Sequence, residues 1–371
     1  VSQIPPIETV STDTKTPKPR HAATLADVGR EAGVSAMAVS KVLNGAKSST
    51  RISDETRERI LDAATRLHYR PNAAARALAD RRMNTIGLVT TLSRNELNQY
   101  FLEVFNGVIE GAATAGQNTT VFAVPDWCEG ARRIPSICDG RIDGLILLAP
   151  LLDMAAAPYL PEHTPLLSIH ANCELPGVLN LESDEEAGAY AMVKQMLQLG
   201  HRRILHIGGS TDFIGASRRI AGYQRAHAEA GVALLADHVI QGDYSAEAGR
   251  RMLQDWLERH RGEVLPQAIF AGSDAIALGC LELLAERGIQ VPADVSLAGF
   301  DGTMLARSAH LASVRQPLRE LGHRAVELLV ERIDDKHADG QAHPTRNIVL
   351  STDIVFGATL SSPRATPLLI S

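Results

Sequence analysis

The chain has 371 residues, enough for about two domains with room for a small third, and too many for one small scaffold. Apolar residues make up 45% and charged residues 22%, which excludes wholesale disorder and collagen-like or low-complexity classes. The formal net charge is −6, from 37 Lys+Arg and 43 Asp+Glu. As an average it speaks against nucleic-acid binding, because such proteins usually carry a basic excess.

The average hides a split. Residues 1–82 hold 14 Lys+Arg against 9 Asp+Glu, a net +5, while residues 83–371 hold 23 against 34, a net −11. A basic head thus precedes an acidic body, with a domain boundary expected near Met83. Residues 1–20 carry four prolines and no apolar signal core, and are expected to form a disordered tail. The first residue is Val1, which leaves room for a start further upstream.

Residues 22–69 read as three short helices. Thr24 can cap the first, with Asp27 three residues on and Leu25, Val28 and Ala32 along one face, ending at Gly33. Ser35 is the next cap candidate, and Val39, Val42 and Leu43 supply the inward face of a second helix. The tight glycine-containing turn between them is that of a helix-turn-helix. Ser53, followed by Asp54 and Glu55, opens a third helix with Ile60, Ala64 and Leu67 inward. In such a unit the second helix lies in the major groove with its first residues at base edges. Lys41 can then donate to a guanine O6/N7 edge, and Ala36 and Met37 can make apolar contacts such as with a thymine methyl. Ser35, Ser40 and Asn44 suit phosphates. The bland alternative for Lys41 is a lysine solvating a helix face.

Residues 70–84 read as a hinge and linker. The alanine-rich stretch 71–79, with Asn72, Arg76 and Leu78, favours helix. At about eight residues it is shorter than the ~12 to 15 a lone helix needs, so it should order only when packed. A slim helix of this kind fits the minor groove, with Leu78 as the apolar wedge opening a base step. An ordinary connector is the alternative.

The body, 85–361, shows strand patterns at 85–91, 119–124, 144–148, 166–169, 203–207, 268–271 and 295–300. Helical patterns fall between most of them, at 100–115, 185–199, 217–230, 246–259 and 274–287. Such alternation makes an α/β fold with parallel sheets. There are too many units for one ordinary sheet, so two doubly wound lobes are expected, with a ligand favoured where strand C-termini face the gap. Residues 362–371 read as an irregular tail.

Cys128, Cys138, Cys173 and Cys280 form no C-x-x-C pair and have no histidine couple nearby; they read as reduced thiols of a cytoplasmic protein, with neither metal nor disulfide. The longest apolar run, 145–152, contains a proline and is far below the ~18 residues of a membrane span. A dehydrogenase is the enzyme alternative. The first strand-to-helix connection lacks G-x-G-x-x-G, and no P-loop, nucleophile elbow or H-E-x-x-H occurs anywhere, so neither an enzyme nor a cofactor is expected.

Several motifs resemble the LacI/GalR family of transcriptional regulators. They are Thr24 to Val28, Ala32 to Ser35, Val39-Ser40, Leu43-Asn44, Tyr69-x-Pro71-Asn72 with Ala75, Arg76 and Leu78, and Ile86-Gly87-Leu88. The likeness continues through Asp143-Gly144, Gly200-His201, Val291-Pro292, Gly299-Phe300-Asp301 and Gln316-Pro317, covering 22–357. Ala38 departs from the family's usual Thr, and the turn at 45–51 is longer and basic.

The resemblance implies a homodimer, or a tetramer, that binds a double-stranded, pseudo-palindromic operator. It further implies a body like the periplasmic sugar-binding proteins, closing on a small effector and switching a repressor. Arg219 matches the cleft arginine that holds effector oxygens, and Asp301 a cleft carboxylate. Arg and Asp facing one another suit a polyhydroxylated ligand. Ser273 could touch the effector, beside Asp274, which is at least a helix cap. Tyr100, Phe101 and Phe213 are aromatic candidates against its flat face, with helix core the alternative for the first two. His170 reads as a satisfied structural histidine and Arg218 as a surface arginine. Phe213 and Ala171-Asn172 depart from the purine-binding pattern, which favours a sugar, glycoside or sugar acid. A sugar-binding sensor with no direct DNA role is the remaining alternative.

Overall fold

The computed structural model describes residues 22–44, 52–71, 77, 82–91, 98–235, 237–338 and 347–370. The chain divides into two compact units, Val1–Arg82 and Met83–Ser371.

In the first unit, α1 (Leu25–Ala32) opens on a reciprocal cap. The Asp27 N–H donates to Thr24 Oγ1 at 3.2 Å, and the Thr24 N–H donates to the Asp27 carboxylate at 3.0 Å, so two orphan donors are satisfied together. Gly33 closes the helix in the left-handed region, at φ 67°. Gly29 permits the sharp turn that follows, because a Cβ there would lie 2.7 Å from the Val34 carbonyl oxygen. α2 (Ala36–Asn44) begins under the Ser35 hydroxyl, which accepts from the Ala38 N–H at 3.2 Å. α3 (Asp54–Arg66) begins under Ser53, which accepts from the Thr56 N–H at 3.3 Å. Val28, Val39 and Ile60, one from each helix, are fully buried together. The tail 1–20 and the hinge residues Asn72, Arg76 and Leu78 lie outside the described residues.

The second unit holds two six-stranded sheets. The first has the order β11-β5-β4-β3-β1-β2, formed by Asn347–Leu350, Leu179–Ser183, Leu166–Ile169, Gly144–Leu148, Thr85–Thr91 and Asn118–Val124, with every pairing parallel. The second has the order β12-β10-β9-β8-β6-β7, formed by Asp353–Val355, Ala312–Arg315, Ser296–Asp301, Ala268–Ala271, Ile204–Gly208 and Val239–Gln241. Only β12 runs antiparallel.

Helices cover both faces of each sheet, as parallel sheets require. α4 (Gln99–Thr114) and α11 (Leu318–Ala338) pack on one face of the first sheet, and α5 (Trp127–Ile137) on the other. α6 (Glu185–Gln198) and α7 (Ile214–Glu229) pack on one face of the second sheet, with α8 (Ala246–Arg259) and α9 (Asp274–Glu286) on the other. The short α10 (Met304–Ser308) follows β9.

All seven expected strands are present. Five more, β5, β7, β10, β11 and β12, escaped the sequence pattern; they are short, and β7, β11 and β12 carry no fully buried residue to give an apolar run. The chain passes between the sheets three times: after β5, after β10, and between β11 and β12. The final residues are irregular yet anchored. Leu369 bridges to Val264, and Ile370 is buried in the core of the second lobe.

Candidate functional site

A cavity of about 270 Å³ lies between the lobes, at the C-terminal ends of their strands. It gathers Tyr100 and Phe101, Phe213 and Arg219, Ser273, and Asp301 from four separate stretches of the chain. Phe101 is also a core residue, buried and stacked on Phe105 at 5.4 Å between centroids. Phe213 meets Tyr244 edge to face at 5.9 Å, and both rings line the cavity.

Asp274 does not line it. Its carboxylate accepts from the Thr303 N–H at 2.7 Å, the Thr303 hydroxyl at 3.0 Å and the Ser313 hydroxyl at 2.6 Å. It ties the starts of α9 and α10 to β10 behind the cavity wall, whereas it was expected among the effector contacts. The cap of α9 is Ser273, which accepts from the Ile276 N–H at 3.1 Å.

Arg219 does not face Asp301 as a free donor. Its Nη2 donates to Glu185 Oε1 at 2.6 Å, and its Nη1 donates to the Gly272 carbonyl oxygen. The guanidinium lies 4.1 Å from the Phe300 ring centroid and 5.5 Å from that of Tyr244. Burial opposes its charge, but the charge and hydrogen bond of Glu185, with the nearby Tyr244 and Asp301, together outweigh burial and hold its pKa above the ordinary value. For Asp301 burial prevails over the nearby Arg219, and with Asp274 close by its pKa is pushed up to about 8.

Sequence reasoning missed Glu185. It is the first residue of α6, in the run Asp184-Glu185-Glu186, where acidic residues are explained well enough by the helix N-terminus. Arg218 was misread too. It lines the cavity and pairs with Glu182 of β5 at 2.9 Å, linking the two lobes. Asn172 adds a second link, its Oδ1 accepting from the Ile214 N–H at 2.8 Å.

His170 is satisfied, as expected, but by residues of the site. Its Nδ1 lies 2.6 Å from Tyr100 Oη and its Nε2 lies 2.8 Å from Ser183 Oγ. Ser183 donates in turn to Gln316 Oε1, and Gln316 Nε2 donates to Asp301 at 2.7 Å. A continuous polar chain therefore runs from Tyr100 on the first lobe to Asp301 on the second. His170 at φ 53° and Asp301 at φ 120° stand in the left-handed half of backbone space, and such strain collects at ligand sites. Burial lowers the His170 pKa, so the ring is neutral at physiological pH.

On the head, Ser35, Ala36 and Met37 are exposed at the start of α2, with Met37 71% accessible, and Ser40 and Lys41 are half-buried. The side chain of Asn44 lies outside the described residues. No group of three or more His, Cys, Asp or Glu side chains placed to hold a metal occurs among the described residues.

Residues 24–72 match the model for bacterial regulatory proteins of the lacI family, and 193–360 that for the periplasmic binding protein-like domain. The HTH-type transcriptional repressor PurR of Vibrio campbellii (strain ATCC BAA-1116) is 31% identical, covering 91% of this chain and 98% of that protein. Catabolite control protein A of Priestia megaterium is 30% identical, covering 85% and 94%. The lac repressor dimer bound to operator and the anti-inducer ONPF superimposes with a TM-score of 0.78, at 26% identity over 91% of this chain and 99% of that one.

The chain belongs to the lacI family. This lacI-family protein is a transcriptional regulator and not an enzyme, and its partners include operator DNA and a small-molecule effector. Membership accounts for the joint presence of a helix-turn-helix and a two-lobed ligand-binding body, which neither unit would justify alone. Among the described residues, no helix of this family member is long and apolar enough to cross a membrane.

Proposed function

We propose that the protein is a repressor that binds a pseudo-palindromic operator as a homodimer and is switched by a sugar, glycoside or sugar acid held between the lobes. The observation that carries this reading is the cavity itself, where aromatic rings and hydrogen-bonding groups converge from both lobes. Tyr100, Phe213 and Tyr244 offer faces to a ring, while Asp301 accepts from its hydroxyls. A site with contributions from both lobes binds best when they are closed, so ligand and lobe closure favour one another.

On DNA, the start of α2 would read base edges through Ala36, Met37 and Lys41, with Ser35, Ser40 and Asn44 toward phosphates. The hinge residues Asn72, Arg76 and Leu78 would occupy the minor groove. A short hinge helix is marginally stable, so a coupling of about 1–3 kcal/mol from the body suffices to order or melt it.

The relatives named above do not set the effector class. PurR is named only as an HTH-type transcriptional repressor, whereas another solved structure of similar fold, at 27% identity and TM-score 0.66, is a CelR-cellobiose complex. The deciding experiment is a gel-shift titration on DNA upstream of the native gene, with panels of neutral sugars, glycosides, sugar acids and purine bases. A specific shift that a sugar-class compound alters is expected. A shift altered only by purines overturns the effector assignment, and the absence of any specific shift overturns operator binding.

A further inference from the structure

We propose that Glu185 sets the charge class of the effector: it occupies, as the chain's own carboxylate, the place where an acidic ligand would bind, so the cavity takes an uncharged ring compound and turns away the corresponding acid. This rests on the cavity being the effector site.

Three features converge on Glu185. The first is Arg219, the cavity cation most enclosed by protein. Both its terminal nitrogens are engaged, one by Glu185 at 2.6 Å and the other by the Gly272 carbonyl, and its Nε is buried without a partner. A carboxylate on a ligand is held most strongly by two parallel N–H bonds from a guanidinium, and Glu185 and the Gly272 carbonyl already occupy both terminal nitrogens.

The second is the N-terminus of α7. This 16-residue helix has no acidic residue in its first turn and no side-chain cap from Phe213, which would ordinarily make it an anion-binding end. Gly215, in that first turn, lies against Glu185 so closely that a Cβ would collide with both carboxylate oxygens. The helix end is thus already served by a negative charge, and the missing Cβ is what lets that charge approach.

The third is the remaining charge. Arg218 is neutralised by Glu182 at 2.9 Å, and its distance to Glu185 is 3.9 Å. Asp243 adds an acidic group to the lining. With both arginines balanced, an anionic ligand meets no unpaired cation and the carboxylates of Glu185 and Asp243. Like charges about 6 Å apart at an effective dielectric near 20 disfavour one another by roughly a hundredfold, and solvent in the opening reduces this toward about tenfold.

Thermal unfolding of the full-length protein in sodium formate, against sodium chloride at equal ionic strength, tests the occupancy without knowing the effector. Wild type should not distinguish the salts. Glu185→Ala should be less stable and be restored by formate in a saturable way, by about 3 °C or more. Should Glu185→Ala not fold, Glu185→Ser, which also leaves the carboxylate's place empty, carries the same comparison. Formate stabilising wild type as much as the variant, or stabilising neither, overturns the proposal.

A second arm titrates glucose against glucuronate, and galactose against galacturonate, by calorimetry. Wild type should prefer the neutral member about tenfold or more, and Glu185→Gln should narrow or reverse that ratio. A wild type that binds an acid as tightly as its neutral partner overturns the inference. If no pair binds, the sugar reading above fails, while the formate result still decides the role of Glu185.

Discussion

The Ser183 hydroxyl donates to the Gln316 side-chain carbonyl oxygen, joining two of the three places where the chain passes between lobes. Ser183 ends β5 of the first sheet, and Gln316 directly follows β10 of the second. Because Ser183 also meets His170 and Gln316 also holds Asp301, this one contact connects the two walls of the cavity. The substitution Ser183→Ala should leave the Gln316 oxygen buried without its donor, at a cost of about 1–3 kcal/mol. Denaturant unfolding would report that loss, and calorimetry should show weaker effector binding because Asp301 is less well held. Unchanged values for both would mean the lobes do not communicate through this pair.

Asp274 is expected to matter for stability more than for ligand contact. Asp274→Ala removes three buried acceptor interactions and strands the Thr303 N–H, so a loss of roughly 3 kcal/mol is expected. Chemical denaturation measures it directly. A variant of native stability that failed only to bind effector would return Asp274 to the cavity wall.

The two raised carboxyls predict a pH dependence. Burial raises Asp274 to about 6 and Asp301 to about 8. The native protein therefore keeps protons that the unfolded chain releases near pH 4. The associated stability is fully present below the unfolded values and is lost as pH rises through about 6 and then about 8. Unfolding at pH 5.5 and 8.5 should show a larger fall for wild type than for Asp301→Asn, which removes one titration. Equal falls would show that Asp301 ionises at an ordinary pH. Hydroxyl donors from the effector should favour the ionised carboxylate, so binding near pH 7 should release protons, measurable in buffers of differing ionisation heat.

For the head, Lys41→Ala should cost about 1–3 kcal/mol of specific operator affinity, with effector binding intact. Fluorescence anisotropy on specific and scrambled duplexes separates base reading from simple charge loss. An equal drop on both duplexes would assign Lys41 to phosphate.

Leu78→Ala tests the hinge. Loss of an intercalating wedge should weaken specific operator binding while calorimetry shows effector binding unchanged. Unchanged operator affinity would remove the wedge role.

The helix-turn-helix was legible because its signals are local: Thr24, Ser35 and Ser53 each cap a helix within three residues of themselves. Strands of the parallel sheets were legible as apolar runs between amphipathic helices. β11 was not, since its four residues alternate between half-buried and exposed, and its partner β5 lies more than 160 residues away. The cavity was legible at Arg219 and Asp301 by likeness to a family, but their partners were not. Glu185 looked like a helix-start acid and Arg218 like a surface charge, because each had a sufficient local explanation. Only the approach of α6 and α7 revealed a pair. Asp274 failed the other way, since its position beside Ser273 at a helix start says nothing about Thr303 and Ser313.

The threefold passage between lobes has a consequence for synthesis. The first sheet is incomplete until β11, ending at Leu350, has been made, whereas the head unit ends at Arg82. At ordinary translation rates of about 5–20 residues per second, that interval lasts roughly 15 to 50 seconds. Throughout it, a nascent chain carries a finished DNA-reading unit but no finished sensor to govern it. A message cut short before the codon for Leu350 would encode a head beyond the reach of the effector.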